Sequence, residues 1–267
     1  MGLREILVHL DNSDTAAVRL DLAVAYALKH GAKLRGLYLI THSYYEPRDI
    51  DEQANAASVE ELFMDKTCRA GVTAEWVYRD WSVIGADVTD LITIQAYYAD
   101  LIMIGQTNSG APSRNIPTDL PERLVLMCGR PVLIVPYAGT FESAGDRIMI
   151  AWKAGRESIR AVHDALPCLK KARHVEVVGI GAPSGVVDGT FSDIHAVLER
   201  HDVQTTTELI NTGNFPVADM LLNTACEQKI DLLVMGAYAH TRRGSLGLSP
   251  IAKHILKHLT VPVLMSH

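Results

Sequence analysis

Cysteine is scarce in this sequence, and long apolar runs are missing. The four cysteines among 267 residues are scattered and form no CxxC pair. They are Cys68, Cys128, Cys168 and Cys226. This distribution predicts reduced thiols in a cytoplasmic protein rather than a disulfide framework or a zinc site. No apolar run approaches the roughly 20 residues of a transmembrane helix, so we expect no membrane partner.

An excess of basic residues is missing as well. The formal net charge is −6, and all of it lies before residue 140. Because non-specific nucleic-acid binding needs a basic face, we expect no nucleic-acid partner. The opening MGLREILVHL has a glutamate inside its apolar run and no small-residue cleavage site, which predicts a first strand rather than a signal peptide.

Several motifs of catalytic chemistry are also missing. The sequence has no Walker A loop, no GxGxxG after a first strand and no GxSxG elbow. The HxGH signature and the SGGxDS loop, both found on related sheets, do not occur either. Nothing marks a positioned nucleophile, base or metal-carboxylate set, so we name no catalytic residue and predict no metal ion.

One pattern of apolar runs and loops occurs twice in the sequence. An apolar run stops at Gly105, and after a polar loop and an amphipathic segment a second apolar run starts at Pro131. The same sequence of features leads from Gly236 to Pro262, and the spacing is 26 positions in both cases. Short apolar runs separated by a helical pattern predict buried parallel strands joined by a crossover helix.

This alternation extends through both halves. The predicted helices cover residues 16–30, 58–68, 83–98 and 119–127, then 157–171, 193–201, 217–228 and 251–259. Apolar strands between them predict a parallel sheet covered on both faces, with strand order 3-2-1-4-5. We therefore predict an α/β protein of two tandem, doubly wound, Rossmann-like domains, at residues 1–138 and 146–267, joined by a small and polar linker.

The predicted topology places a ligand crevice in each half. In a doubly wound sheet the chain leaves strand one in one direction and returns to strand four on its other side. Ligands bind in the crevice between the carboxyl ends of these two strands. In the first half this places Asp11 beside residues 105–108. In the second half it places Lys153 beside residues 236–239. Topology alone does not identify the ligand.

The second half, from RIMIAWKAGRESIRAVHDALP through DLLVMGAYAHTRRGSLGLSPIAKHILKHLTVPVLMSH, resembles the universal stress protein family. In the first half the resemblance lies mainly in IGQTNSG and RPVLIVP, so the chain is similar to a tandem member. The resemblance implies a cytoplasmic stress-response protein. Nucleotide-binding members carry a Gly-x2-Gly-x9-Gly-Ser/Thr loop after strand four, and an acidic residue after strand one faces the adenosine.

The second half fits that loop poorly. Its positions fall on Gly236, Ala239, Ser249 and Pro250, so only the first glycine is kept. Serine caps a helix with its own side chain, and proline supplies no N–H, which weakens the anion site at the helix start. The acidic position aligns with Lys153, whose side chain either meets an anionic ligand or points into solvent.

The first half keeps Asp11, and its loop positions fall on Gly105, Asn108, Thr118 and Asp119. Asparagine tolerates a left-handed backbone, but an aspartate at the helix start would repel a triphosphate. The candidate cofactor-binding residues are Asp11, Leu39, Gly105, Asn108, Lys153, Ile180, Met235, Gly236, Ala239 and Ser249. ATP or AMP is the expected ligand.

Three further clusters leave alternatives open. His254 and His258 lie four apart on one predicted helix, where a solvated face is favoured over a zinc site. The loop segment 240–243, HTRR, either holds a phosphate or carboxylate or is solvated. The pair Tyr44 and Tyr45 either stacks on a flat ligand or packs as a lid.

The last apolar run of each half carries a proline at its start, as edge strands do. In universal stress proteins this edge pairs with its equivalent to form dimers, which implies an intramolecular pseudo-dimer here and leaves a homodimer open. The leading hypothesis is a non-catalytic binding or signalling module with degenerate adenine-nucleotide sites. The alternatives are a weak nucleotide hydrolase or transferase and a ligand-free protein-interaction scaffold.

Overall fold

The computed structural model describes residues 2–41, 50–81, 87–108, 110, 116–180, 185–211, 215–242 and 245–267. The chain divides into two compact units, Met1–Glu142 and Ser143–His267. Among the described residues, no helix combines the length and the apolar character that crossing a membrane would require. None of the four cysteines, which all lie in the described ranges, forms a disulfide bond.

The first unit alternates strands and helices. Its strands are β1 (Glu5–Leu10), β2 (Lys33–Thr41), β3 (Ala74–Trp81), β4 (Leu101–Gly105) and β5 (Val132–Val135). Its helices are α1 (Ala16–His30), α2 (Ile50–Ala70), α3 (Val88–Ala96) and α4 (Leu120–Met127). The strands pair in parallel in the order β3-β2-β1-β4-β5.

The apolar strands at the centre of this sheet form its core. Residues 6–10 of β1 and 101–104 of β4 are all buried. Helix α1 covers them with small residues at helical spacing, including Ala16, Ala23 and Ala27. The helix ends at Gly31, whose φ of 63° is the left-handed conformation that glycine adopts without steric cost. This end sets the short connection to β2.

The second unit repeats the pattern and adds a hairpin. Its strands are β6 (Arg147–Trp152), β7 (His174–Ile180), β8 (Thr206–Ile210), β9 (Leu232–Gly236), β10 (Ala239–Arg242), β11 (Ser245–Leu248) and β12 (Val263–Ser266). Its helices are α5 (Arg156–Leu169), α6 (Gly185–Arg200), α7 (Val217–Glu227) and α8 (Pro250–Lys257). Strands pair in parallel in the order β8-β7-β6-β9-β12.

The predicted fold class is confirmed. Each unit has an α/β architecture with a doubly wound parallel sheet, and strand one lies between strands two and four as the sequence predicts. Within each unit, the carboxyl ends of strands one and four therefore lie side by side.

Several element boundaries differ from the predicted ones. Helix α2 begins at Ile50 rather than residue 58, and α6 begins at Gly185 rather than residue 193. The prediction relied on apolar periodicity, and residues 51–55 (DEQAN) extend a helix without any apolar stripe. Helix α3 begins at Val88 rather than residue 83, because Asp87 and Asp90 form a capping box with two hydrogen bonds of 3.1 Å.

The segment after β9 is another difference. The sequence predicts a polar loop there, but strands β10 and β11 pair antiparallel and form a two-stranded sheet of their own. Ser249 N–H donates to the Tyr238 carbonyl oxygen at 2.7 Å and closes the base of this hairpin. The hairpin is therefore followed directly by the start of α8.

Candidate functional site

The first unit has a crevice of about 450 Å³ at the carboxyl ends of β1 and β4. Its described lining residues come from the ends of β1 and β4, the segments that follow β1, β4 and β5, and the first turns of α1, α2 and α4. They are His9, Asp11, Asn12, Ser13, Asp14, Thr15, Arg19, Glu52, Gly105, Gln106, Thr107, Asn108, Ile116, Thr118, Leu120 and Tyr137. The crevice therefore lies where the topology predicts it.

An ion pair forms the floor of this crevice. Arg19 Nη2 lies 3.0 Å from Asp11 Oδ2, and the arginine residue is only 2% exposed. Ser13 donates to Asp11 Oδ1 from its backbone N–H at 3.0 Å and from its hydroxyl group. Burial alone would raise the pKa of the Asp11 carboxyl, but Arg19, His9 and the Ser13 hydrogen bonds lower it to about 2. Asp11 is therefore a fixed anion.

His9 lies beside this pair at the end of β1. The residue is 3% exposed, and burial lowers the pKa of its imidazole to about 4. The Asp11 carboxylate opposes this shift, and the Arg19 guanidinium adds to it. The imidazole is consequently neutral at physiological pH.

Gly105 and Arg19 are in close contact. A methyl group at position 105 would collide with Arg19 Nη1. The absence of a side chain at the first loop glycine therefore makes room for the guanidinium. The sequence pattern assigns Gly105 to phosphate approach, whereas in the structure part of that space is occupied by the cation.

Hydrogen bonds between uncharged groups fix the position of the segment that follows β4. Thr107 Oγ1 donates to the Thr118 carbonyl oxygen at 2.7 Å, which links the two ends of the β4–α4 connection. Gln106 Oε1 accepts from the Tyr137 backbone N–H at 3.1 Å. These contacts give the described part of the rim a fixed set of neutral amide and hydroxyl groups.

The start of α4 carries negative charge. Asp119 occupies the N-cap position and its side chain makes no capping hydrogen bond, while Glu122 lies in the first turn. Arg123 on the same helix pairs with Asp87. Acidic residues at this end suit the helix dipole but repel a bound phosphate. The expectation that Asp119 weakens a phosphate site stays a prediction.

The second unit has a larger crevice of about 630 Å³ at the equivalent ends of β6 and β9. Most of its described lining is apolar. The lining residues are Ala151, Trp152, Lys153, Ala154, Val178, Gly179, Thr190, Phe191, Val217, Leu221, Met235, Gly236, Tyr238, Ser249, Pro250 and Ile251. Lys153 is the only charged residue in this described set.

Gly236 in this crevice serves helix packing. A methyl group at position 236 would lie 2.5 Å from the Glu157 carbonyl carbon and 2.5 Å from the Ser158 nitrogen. The backbone at the start of α5 therefore packs directly on the end of β9. The first loop glycine, the one family position kept in this half, is explained by this close approach.

Tyr238 is fixed between two chain segments. Its hydroxyl donates to the Lys153 carbonyl oxygen at 2.6 Å and lies 3.0 Å from Ser158 Oγ. Burial raises the pKa of this phenol, so it stays neutral. The Lys153 ammonium lies 5.5 Å from the centre of the Tyr238 ring, a cation–π contact. The aromatic ring and the lysine thus form one end of the crevice.

The start of α8 is capped by the chain itself. Ser249 Oγ accepts from the Ala252 N–H at 3.2 Å, and Pro250 takes the first helical position. One N–H is thereby satisfied and another is missing, as predicted from the sequence. This helix end retains little of the donor capacity that binds a phosphate.

The structure gathers the candidate residues into their two crevices. Asp11, Gly105 and Asn108 line the first, and Leu39 lines a small extension beside Asp11. Lys153, Met235, Gly236 and Ser249 line the second. Ile180 ends β7 and Ala239 begins β10, and their side chains lie outside the described part of the structure. Their role as cofactor-binding residues stays a prediction.

The other predicted clusters have mixed outcomes. Tyr44, Tyr45 and Arg243 lie outside the described residues, as do the side chains of residues 240–242. His254 Nε2 lies 2.7 Å from Asp219 Oδ1, and its ring stacks on His258 with centroids 4.5 Å apart. The described part of the chain contains no group of three or more residues arranged to hold a metal ion.

His9 and Arg19 are site residues that the sequence interpretation missed. Both interrupt an otherwise apolar pattern: His9 falls in the run EILVHL, and Arg19 falls between Ala16 and Ala23 on the buried face of α1. A polar residue on a core-facing stripe is the signal that could have identified them. In the second unit, Trp152 and Phe191 look like ordinary core residues in the sequence.

This chain matches a known protein family in its first unit. The family model for the universal stress protein family matches residues 2–136. These residues lie in the first unit, whereas the quoted sequence resemblance was clearer in the second. No curated protein sequence matches the chain.

Two solved structures are similar to this chain over nearly its full length. A universal stress protein from Archaeoglobus fulgidus DSM 4304 has a TM-score of 0.76 at 16% identity, and the alignment covers 98% of this chain and 97% of that one. A functionally unknown protein from Pseudomonas aeruginosa PAO1 has a TM-score of 0.63 at 17% identity, covering 99% and 92%. At this identity the likeness establishes the fold.

Proposed function

Because this chain belongs to the universal stress protein family, we propose that it is a tandem member that binds its ligand without converting it. In this proposal residues 1–138 and 146–267 are two domains of the same kind, and the protein acts as a stress-response binding or signalling module. The adenine-nucleotide-type site lies in the first unit.

One observation carries the proposal. Asp11, Gly105 and Asn108 meet around one crevice of about 450 Å³, within the unit that the family model matches. This volume lies in the range of about 300–1,000 Å³ that is typical of small-molecule sites. The ionised Asp11 and the amide and hydroxyl groups of the rim are suited to the hydroxyl groups of a ribose.

The charges of the crevice favour a nucleoside or monophosphate over a triphosphate. Among its described lining residues, the carboxylates of Asp11, Asp14 and Glu52 oppose the single guanidinium of Arg19, and His9 is neutral. Three negative charges against one positive leave a net charge of −2. Each added phosphate therefore increases repulsion instead of gaining a partner.

The same groups favour binding over catalysis. A general base works best with a pKa near the operating pH. The pKa of Asp11 is about 2 and that of His9 is about 4, so both are weak bases at neutral pH. Asp11 is also engaged by Arg19 and Ser13.

The first test is a thermal unfolding assay on the full chain with adenosine, AMP and ATP at equal concentrations. A ligand that binds only the folded state at one hundred times its Kd stabilises that state by about 2.7 kcal/mol. We expect adenosine and AMP to raise the melting temperature more than ATP does. No response to any of the three would support the scaffold alternative instead.

A gain-of-charge variant sharpens this test. Thr118 is exposed and lines the crevice, and only its carbonyl is used in the hydrogen bond to Thr107. Thr118→Lys should strengthen AMP and ATP binding roughly twofold to fivefold, the size of an exposed charge pair, and leave adenosine unchanged. Ala57→Lys, on an exposed position of α2, is the matched control and should change nothing.

Prolonged incubation with ATP tests the enzyme alternative. The proposal expects no release of phosphate or ADP above the background rate. Turnover that disappears in Thr118→Glu but persists in Ala57→Glu would place hydrolysis in this crevice and contradict a binding-only role. The predicted intramolecular pseudo-dimer and the homodimer stay predictions, and sedimentation of the full chain tests the second.

A further inference from the structure

The second crevice differs in chemistry from any phosphate site. Its walls include the side chains of Trp152, Phe191 and Leu221, and Met235 and Ile251 line it as well. Phe191 lies against the strand surface at Gly179, where a methyl group would collide with the ring. An apolar crevice of about 630 Å³ stabilises a ligand by removing apolar surface from water.

The groups that would hold a phosphate are already used. Gly236 is covered by the backbone at the start of α5, and Ser249 caps its own helix. Pro250 contributes no N–H. A nucleotide would therefore find an apolar wall where its phosphates need donors.

Among the described residues that line this apolar surface, one is a cation. Lys153 is exposed, and its ammonium contacts the ring of Tyr238. No acidic side chain in the described part of the chain pairs with it. A single positive charge beside an apolar cavity is complementary to a ligand with one anionic end and an apolar body.

We propose that the second crevice binds an apolar carboxylate, with the hydrocarbon body against Trp152, Phe191 and Leu221 and the carboxylate at Lys153. This site is separate from the nucleotide-type site of the first unit and does not rest on it. Burial of each methylene is worth about 0.8 kcal/mol, so affinity should rise roughly threefold to fourfold per added carbon until the crevice is full.

Tryptophan fluorescence provides a direct readout of occupancy. A terminally brominated straight-chain fatty acid quenches a tryptophan that it contacts, and Trp152 lines the crevice. Titration of the full chain should give saturable quenching. The variant Trp152→Phe should lose that component, while the signal from the tryptophans of the first unit stays unquenched. Quenching that survives in Trp152→Phe would contradict the proposed site.

A charge placed in the crevice should block binding. Val217 is half-buried, lines the crevice and begins α7, where an acidic residue suits the helix dipole and is compatible with folding. Val217→Glu should weaken fatty-acid binding at least tenfold, which corresponds to about 1.4 kcal/mol. Asn223→Glu adds the same charge to an exposed position of the same helix and should leave binding unchanged.

The lysine variant tests recognition of the carboxylate by itself. Because Lys153 is exposed, Lys153→Gln should fold normally. We expect it to weaken binding of dodecanoate roughly twofold to fivefold, as for an exposed charge pair, and to leave dodecanol unchanged. An equal loss for the acid and the alcohol would overturn the assignment of the carboxylate to Lys153.

Competition with AMP decides between the two ligand classes. The proposal expects AMP at millimolar concentration to leave the quenching of Trp152 by the brominated acid unchanged. Displacement of the acid by AMP at lower concentration than by dodecanoate would make the crevice a nucleotide site. A complete lack of saturable quenching would also contradict the proposal.

Discussion

The two crevices occupy the same place in their sheets and differ in almost every side chain. The first has an ion pair as its floor and a polar rim, with His9, Asp11 and Arg19 at its centre. The second has apolar walls and one lysine at its edge. The position of a site is therefore set by topology, while its chemistry depends on a few substitutions at strand and helix ends.

Glycine has a different role in each crevice. Gly105 makes room for the end of a side chain, Arg19, whereas Gly236 makes room for the backbone of α5. Both belong to the same sequence pattern. Neither contact involves a ligand, so a glycine in a loop motif is weak support for phosphate binding until its neighbours are known.

The largest expected difference between the units concerns the buried ion pair. Asp11→Asn removes the partner of a buried arginine and should lower the free energy of unfolding by about 3–5 kcal/mol. In the second unit, Arg160 pairs with Asp164 at 2.9 Å on the surface of α5. Asp164→Asn should cost only about 0.3–0.5 kcal/mol.

Urea denaturation followed by circular dichroism measures both variants under one condition. If Asp11→Asn costs no more than Asp164→Asn, the floor of the first crevice does not depend on charge pairing. The charge difference between the two crevices would then have no measurable effect on the free energy of unfolding.

The next effect is the pH dependence that His9 contributes in the first unit. The pKa of His9 falls from 6.5 to about 4 on folding, so the unfolded chain binds the proton more tightly. The contribution of a neutral His9 is complete above pH 6.5 and is lost as the pH falls toward 4, at a cost on the order of 3 kcal/mol.

Unfolding free energies measured between pH 4 and pH 7 test this expectation for the wild type and for His9→Gln. The variant should show a shallower loss at acidic pH, because its side chain does not titrate. Parallel curves for the two proteins would show that the acid sensitivity arises elsewhere.

The smallest of these effects concerns Gly236. Gly236→Ala forces a methyl group against the backbone of α5 and should cost about 1–3 kcal/mol, as other overpacked positions do. Gly189 in α6 has no neighbouring atom within 4 Å of an added methyl group. Gly189→Ala should therefore stabilise the protein by about 0.5–1 kcal/mol through its helix propensity.

Thermal and urea unfolding of both alanine variants check this pair. A tolerated Gly236→Ala would show that α5 can move away from β9, and the loop glycine would again be available to a ligand. An equal change in stability for both alanine variants would contradict the explanation that Gly236 is required for close packing against α5.

The sequence was sufficient to predict the fold for a specific reason. The apolar runs around residues 101–105 and 232–236 are buried parallel strands, and the repeated spacing indicates the same strand order in the main sheet of each half. The hairpin of β10 and β11 is an addition that this spacing does not indicate. Strand order then places Asp11 near Gly105 without any side-chain information. The helix starts were less predictable, because the polar first turns of α2 carry no apolar stripe.

The side-chain chemistry of the crevices was harder to predict from the sequence than the fold. Arg19 lies on the buried face of α1, and its pairing with Asp11 depends on a contact between a helix and a strand end that periodicity does not encode. Tyr238 resembles any loop aromatic until its hydrogen bond to the Lys153 carbonyl is seen. Such tertiary contacts decide which family positions remain accessible to a ligand.

The contact between Asp11 and Arg19 also restricts how this protein can evolve. A mutation that neutralises either residue alone leaves the other charge buried without its partner, so a single change at this pair should lower stability. Two coordinated changes are needed to reopen the space above Gly105 to a phosphate group. Stability therefore constrains these two residues, whatever ligand the first crevice binds.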